Sequence, residues 1–181
     1  MQTTLTDGHI VLRPLAPEDA EAIHVAACES IGTVGRWMPW CHSGYELHEA
    51  ATWIDTCRKN WTEGASCEFG VFDAANGFCG GVGLNSFNRL NNFANLGYWV
   101  RSSCLRLGIA TAAAHLAARF AFDRLQFARV EIVIHADNVA SRRVAEKLGA
   151  TFECIARNRV VLHGRSHDAA VYSLVPDDLD G

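Results

Sequence analysis

The chain lacks the features that would mark it for a membrane, an oxidising compartment or a nucleic acid. No run approaches the roughly 18 consecutive apolar residues that a membrane-spanning helix needs. The opening MQTTLTDGHIVLRPL has neither the basic nor the apolar region of a signal peptide. Cys28, Cys41, Cys57, Cys67, Cys79, Cys104 and Cys154 are odd in number, scattered, and include no C-x-x-C pair, so neither a disulfide framework nor a zinc site is expected. They read as reduced, mostly buried apolar residues of a cytoplasmic protein. The eight histidines are equally dispersed, with Cys41-His42 the only adjacent Cys/His couple, and no metal is expected. Proline is scarce, with four residues, and no Walker A loop or G-x-G-x-x-G fingerprint is present. The net charge of −4 argues against a nucleic-acid partner that is bound through bulk electrostatics.

What the chain has is the composition of one ordinary globular domain: 181 residues, 49% hydrophobic and 20% charged. A domain of this size buries roughly 70% of its unfolded surface and needs no staple. Charge is unevenly placed. Residues 1–100 carry five positive charges against eleven acidic ones, and residues 101–165 carry eleven positive against five acidic. The basic half suggests an anionic ligand, and the acidic half is compatible with a cationic one; solvated surface charge is the plainer account of both.

Hydrophobic periodicity predicts a strand in GHIVLRPL, then a helix from Pro17-Glu18-Asp19 through Cys28. A Gly- and Trp-rich loop spans 30–46, and ELHEAATWIDTCRKNW fits an amphipathic helix. CEFGVFD, FCGGVGLNSF and NFANLGYWV read as three successive strands with turns at 75–77 and 89–91. The second half predicts a helix over 107–124, the strand ARVEIVIH, a helix over 139–148, and the strands TFECIARNRVV and SHDAAVYSLV about a turn at 163–165. Strands flanked by helices indicate an α/β or α+β domain around one mixed sheet.

Two junctions carry chemistry. In RSSCLRLGIAT, Gly108 and Ala110 let the chain turn tightly into a helix whose first N–H groups are unpaired and whose dipole is positive, a setting suited to phosphate. Arg101 and Arg106 stand beside it and can add charge-assisted hydrogen bonds. A lone glycine at a helix start is by itself weak evidence. In HADNVASRRVAEKLGA, Asn138 is a natural N-cap and Ser141 follows three residues later, so both side chains can face the groove at the strand's end. Arg142, Arg143 and Lys147 make this helix basic. For Asn138 the capping role is the favoured account when it is read alone.

Taken in order, the opening HIVLRPLAPEDAEAI, the loop GRWMPW, FCGGVGLNSF, NLGYWV, the turn LRLGIATAAA and the helix NVASRRVAEKLGATFE resemble the GNAT superfamily of acyl-CoA-dependent N-acyltransferases. Its RimJ/RimL-like branch, the ribosomal-protein N-acetyltransferases, is the most similar. The resemblance covers nearly the whole chain and implies a single GNAT domain over 1–181. That fold has a mixed, mostly antiparallel sheet of about seven strands with splayed middle strands, flanked by helices. It implies that amides of Leu105, Arg106, Leu107, Gly108, Ile109, Ala110 and Thr111 hold the pyrophosphate of coenzyme A. It also implies that the strand with Tyr98, Trp99, Val100 and Arg101 pairs with the pantetheine arm. Asn138 would hydrogen-bond that arm, Ser141 would sit near the sulfur, and Arg143 adds a cation for the donor. Trp37, Trp40 and the helix over 47–61 would wall the acceptor site.

Three positions depart from the family pattern. The Gln/Arg place of the phosphate motif is Leu105, an acid often found before the Leu-Gly-Tyr strand is Asn95, and the general-acid Tyr is replaced by Ala145. Ser141 is therefore the better candidate acid for the leaving thiolate. Glu68 and Glu131 are the candidate bases that deprotonate the amine, each equally well read as a structural carboxylate. A main-chain N–H of the Gly97–Val100 strand is placed to steady the oxyanion. Direct transfer in a ternary complex is expected rather than an acyl-cysteine at Cys104 or Cys154. The expected partners are an acyl-CoA donor, acetyl-CoA first, and an amine acceptor, either a protein N-terminus or a small molecule. A homodimer formed through sheet edges is compatible with the pattern, whereas nucleic acid and membrane are not expected. An alternative from another class is a non-catalytic acyl-CoA sensor of the same fold, towards which Leu105, Asn95 and the absent tyrosine lean.

Overall fold

Eight strands form one sheet in the order β1-β2-β3-β4-β5-β6-β8-β7 in a computed structural model that describes residues 3–179. The strands are β1 (Leu5–Thr6), β2 (Ile10–Pro14), β3 (Cys67–Asp73), β4 (Phe78–Asn88), β5 (Phe93–Val100), β6 (Arg129–His135), β7 (Thr151–Leu162) and β8 (Arg165–Leu174). The helices are α1 (Ala20–Glu29), α2 (Leu47–Glu63), α3 (Ile109–Asp123) and α4 (Val139–Lys147). The strand that raises the number from about seven to eight is β1, two residues paired antiparallel to β2 and too short to leave a periodic signal. Among the described residues no helix is long and apolar enough to cross a membrane.

Each helix forms for a legible reason. In α2 the Glu49 carboxylate accepts from the Glu46 N–H at 2.8 Å in a capping box, and Gly64 closes the helix at φ 66. Its Ala50, Ile54 and Cys57 recur at helical spacing and are buried. In α3, Ala113, Ala114, Ala117, Ala118 and Ala121 are fully buried and let the helix axis come close to the sheet. α3 and α4 share the larger core with the inner side chains of β2 to β6. On the other face α1 and α2 pack over Leu15, Phe72 and Phe78. All seven cysteines are free thiols, four of them buried.

Two irregularities in the sheet make room for chemistry. β5 and β6 run parallel and pair only through Phe93–Arg129, Ala94–Val130 and Asn95–Glu131. Beyond Asn95 the two strands separate, so five residues of β5 and four of β6 have no ladder partner across the gap. The second is the glycine series of β4. Glu68, Gly83 and Gly97 lie side by side across β3, β4 and β5, as do Gly70, Gly81 and Trp99. Without side chains at Gly81 and Gly83, the sheet is a low floor over which Glu68 and Trp99 lie flat. A Cβ at Gly83 would overlap the Glu68 carboxylate, and one at Gly81 would come within 2.8 Å of the Trp99 indole nitrogen.

Candidate active site

The sheet floor, α1, α2 and the 30–46 loop enclose a cavity of about 580 Å³. Its walls are mostly apolar, with seven Phe, Tyr and Trp residues among them. Trp40 meets Tyr45 and Trp99 edge to face, at centroid separations of 5.9 and 5.2 Å, and Phe78 stands 5.7 Å from Trp99. On α2, Trp53 and Thr52 line the same space. A second hollow of about 100 Å³ lies in the gap between the splayed strands, bordered by Trp37, Gly97, Tyr98, His135, Asn138 and Ser141. Gly97 and Tyr98 line both spaces, so the two meet at β5.

Glu68 is the carboxylate that faces the large cavity without a charged partner. Burial pushes its carboxyl up to about 7, and the Asn85 amide, donating to it at the long distance of 3.5 Å, offsets this only in part. Asn95 in turn donates to the Asn85 carbonyl oxygen at 3.1 Å. The residue that stands in place of the family's frequent acid thus helps hold the amide that touches Glu68. Glu131 is placed differently. It accepts from Arg129 at 3.1 and 3.2 Å beside the closed end of the β5–β6 gap, and it lines neither cavity. Its geometry is that of a structural ion pair.

Across the gap a tyrosine and a serine are clipped together. The Tyr98 hydroxyl donates to the Ser141 carbonyl oxygen at 2.9 Å, and the Ser141 Oγ donates to the Tyr98 hydroxyl at 3.1 Å. Burial pushes the Tyr98 phenol up to about 12. Although Ala145 leaves α4 without a tyrosine, β5 delivers a phenolic hydroxyl to Ser141. The Asn138 side chain accepts from the Ser141 N–H at 3.2 Å as an N-cap, which leaves its amide NH₂ directed to other partners.

The turn into α3 leaves a helix start open, a setting that suits an anion. Arg106 and Gly108 take positive φ values of 65 and 79, which bend the chain sharply before Ile109. The first hydrogen bond into the helix is donated by Ala112 to the Gly108 oxygen at 3.1 Å, so the amides of Ile109, Ala110 and Thr111 precede it. No side chain crowds the position where a Gly108 Cβ would stand. Leu105, Arg106 and Leu107 are exposed, and so is Arg143 in the middle of α4. Arg101 is engaged elsewhere, donating from Nε to Glu29 at 2.6 Å while its N–H donates to Cys79 at 2.8 Å. The Glu29 carboxylate also accepts from the Ser103 N–H, and the Ser30 hydroxyl oxygen accepts from the Ser102 N–H at 3.0 Å. These bonds tie the segment before this turn to the end of α1.

Of the two loop tryptophans singled out in the sequence, Trp40 lines the large cavity. Trp37 borders the gap, 5.1 Å from His135, with Arg36 over its ring. Tyr45, Trp53 and the β4 glycines were not marked by the sequence as site residues. The signal that could have found them is the alternation of glycine in β4 opposite Glu68 and Trp99. Among the described residues no group of three or more His, Cys, Asp or Glu is arranged to hold a metal.

Residues 9–151 match the family model described as an acetyltransferase (GNAT) domain. YdaF of Bacillus subtilis (strain 168), which carries the name ribosomal N-acetyltransferase, is 29% identical over 183 residues, covering 100% of this chain and 99% of its own. Among solved structures, Mycobacterium smegmatis RimJ in complex with CoA-disulfide superposes with a TM-score of 0.88 at 22% identity, covering 99% of this chain and 89% of that one. The microcin C7 self-immunity acetyltransferase MccE, in complex with acetyl-CoA and AMP, gives 0.87 at 22% identity, covering 94% and 93%.

Proposed function

The chain belongs to the GNAT acetyltransferase family, a family of acyltransferases that use acetyl-CoA as acyl donor, and from that premise we propose that it acetylates a primary amine held in the 580 Å³ cavity, with Glu68 as general base. The observation that carries this reading is a desolvated carboxyl, poised near neutrality, facing a cavity that shares Gly97 and Tyr98 with the hollow between β5 and β6.

The residues present fit coenzyme A. The amides of Ile109 to Thr111 and the open face of Gly108 suit its pyrophosphate. The unpaired edge of β5 beyond Asn95 suits the amides of the pantetheine arm, as a peptide would add to a strand edge. Arg143, exposed and close in sequence to Asn138 and Ser141, suits a donor phosphate. The donor supplies a thioester carbonyl that is open to nucleophilic attack.

An amine reaches the site protonated, and only the neutral form is a nucleophile. Glu68, with a carboxyl near 7, takes that proton at physiological pH, and the aromatic walls keep water from competing. Backbone N–H groups of the unpaired β5 segment are placed to steady the charge that develops on the carbonyl oxygen. The Ser141 hydroxyl, which at rest donates to the Tyr98 oxygen at 3.1 Å, turns to the departing sulfur and supplies that proton. Glu131, fixed by Arg129, takes no part in this scheme. A donor-binding sensor without turnover is disfavoured, because such a protein has no use for a desolvated carboxyl in a second cavity.

By relation to proteins named for ribosomal acetylation, a protein N-terminus is one acceptor, and a small amine fits the same chemistry. We place the protein in the cytoplasm, with no nucleic acid or membrane partner, and assign a second copy to the exposed edge strand β7. Light scattering checks the last point. The activity is tested by mixing acetyl-CoA with a panel of amines and following thiol release. Donor binding with no thiol release from any amine, in a protein that calorimetry shows to be folded, refutes the catalytic reading.

A further inference from the structure

The large cavity also defines which amine it accepts, a question that rests on the reading of this space as the acceptor site. No arginine or lysine is among its lining residues, so no permanent cation there meets a carboxylate or phosphate on the acceptor. Several polar side chains of the wall are already engaged. Thr52 and Thr56 donate their hydroxyls to the helix carbonyls of His48 and Thr52, at 2.8 and 2.9 Å. Glu49 accepts from the Glu46 N–H at 2.8 Å and pairs with His42 at 3.2 Å. The Tyr98 hydroxyl faces Ser141. What the wall offers a ligand is therefore apolar and aromatic surface, with one carboxylate, Glu68, that lacks a charged partner.

We propose that the acceptor is a monoamine carried on an apolar body of aromatic size, with no anionic group near the amine and no second ammonium within the buried part. The amine meets Glu68 on the glycine floor, and the body lies among Trp40, Tyr45, Trp53, Phe78 and Trp99. Ring edges and faces in that wall suit both an aromatic group and the cationic head beside it. A second ammonium, or a sugar with several hydroxyls, would enter a wall whose surface is mostly apolar. Burying such a group unpaired weakens binding by roughly fivefold to a hundredfold for each hydroxyl and by more for a charge. A carboxylate next to the amine would face Glu68 directly, with like charge and no permanent cation to offset it.

The test uses the whole protein with saturating acetyl-CoA and follows thiol release with 2-phenylethylamine, spermidine, glucosamine, phenylalanine and phenylalaninamide. The expected result is a kcat/KM for 2-phenylethylamine at least tenfold above spermidine, glucosamine and phenylalanine, with phenylalaninamide recovering most of the loss. Trp53→Ala, at a cavity-wall side chain that is 43% exposed, is expected to lower the 2-phenylethylamine value by about tenfold through lost burial. If spermidine or glucosamine equals 2-phenylethylamine, the apolar selection is overturned, and Glu68→Gln still lowers turnover because the acceptor-site reading stands. If Glu68→Gln leaves kcat/KM unchanged for every amine, the acceptor-site reading falls and this inference falls with it. Calorimetric titration of 2-phenylethylamine into the protein–CoA complex gives an independent reading. Binding that Trp53→Ala weakens supports the inference, and an absence of binding overturns it.

Discussion

Replacing Glu68 by glutamine tests the catalytic reading and the energetics of the site in one variant. Glu68 lies across Gly83 with a carboxyl raised from 4.5 to about 7 by burial. Such a shift corresponds to about 3 kcal/mol of differential interaction between the neutral and ionised forms. Because the folded value lies above the unfolded one, the favourable contribution of the protonated group is complete below about pH 4.5. It is lost as the pH rises through about 7, so the ionised carboxylate is a cost that the fold carries at pH 8. Glutamine keeps the shape and the Asn85 contact without the charge. Denaturant unfolding at pH 5 and pH 8 is expected to show Glu68→Gln more stable than the parent at pH 8, by up to about 3 kcal/mol, with the difference shrinking towards pH 5. Turnover moves the other way. In the parent, kcat at saturating acetyl-CoA and amine is expected to rise with pH and level off near 7. In the variant that limb is lost, and kcat falls by roughly 10²-fold or more, the usual worth of a general base. A parent profile that levels off below pH 5, or a variant with unchanged kcat and no gain in stability at pH 8, refutes the account of a desolvated base.

Ser141→Ala is expected to lower kcat by roughly tenfold to a hundredfold while changing the donor KM little, and unchanged turnover removes Ser141 from the mechanism. Tyr98→Phe, which takes away the hydroxyl that meets Ser141, is expected to weaken kcat in the same direction, and no effect would show that the clip is structural only. Gly108→Val places a β-branched residue at φ 79 before the open start of α3; calorimetry is expected to find no binding of coenzyme A, and parental affinity contradicts the assignment. Asp19 is held by Arg13 at 2.7 Å through both oxygens and by the Ala16 N–H at 2.8 Å. Although burial works to raise its carboxyl, these bonds bring it below its usual range. Asp19→Asn is therefore expected to cost roughly 2–3 kcal/mol at pH 7, with the difference beginning to fade below about pH 4, where the unfolded chain takes up the proton, and lost only as the pH falls through the lowered value of the folded carboxyl. Equal stability of the two proteins at pH 7 by denaturant unfolding contradicts this.

Local pattern was enough to read most elements. CEFGVFD is strand β3 to the residue, and the apolar spacing of Ala50, Ile54 and Cys57 marks the buried face of α2. The turn into α3 was legible because a glycine before an alanine-rich helix leaves a recognisable trace, and Gly108 does adopt the left-handed conformation that only a few residue types tolerate. β1 was not legible, since two residues carry no period. The roles of the carboxylates were not legible either. Glu68 and Glu131 both sit in strands, and nothing in their neighbours along the chain tells a cavity from a guanidinium.

The sequence by itself determined the order of strands and helices along the chain, the glycine turn into α3 and the family resemblance, because each depends on residues near one another along the chain. Only the tertiary structure decided where the splay begins, that Arg101 is taken by Glu29, that Tyr98 reaches Ser141, and that Glu68 rather than Glu131 faces the cavity. These depend on contacts between residues distant in the chain. The protonation of a carboxylate follows from the burial and charges around it, and those exist only once the sheet and helices have closed.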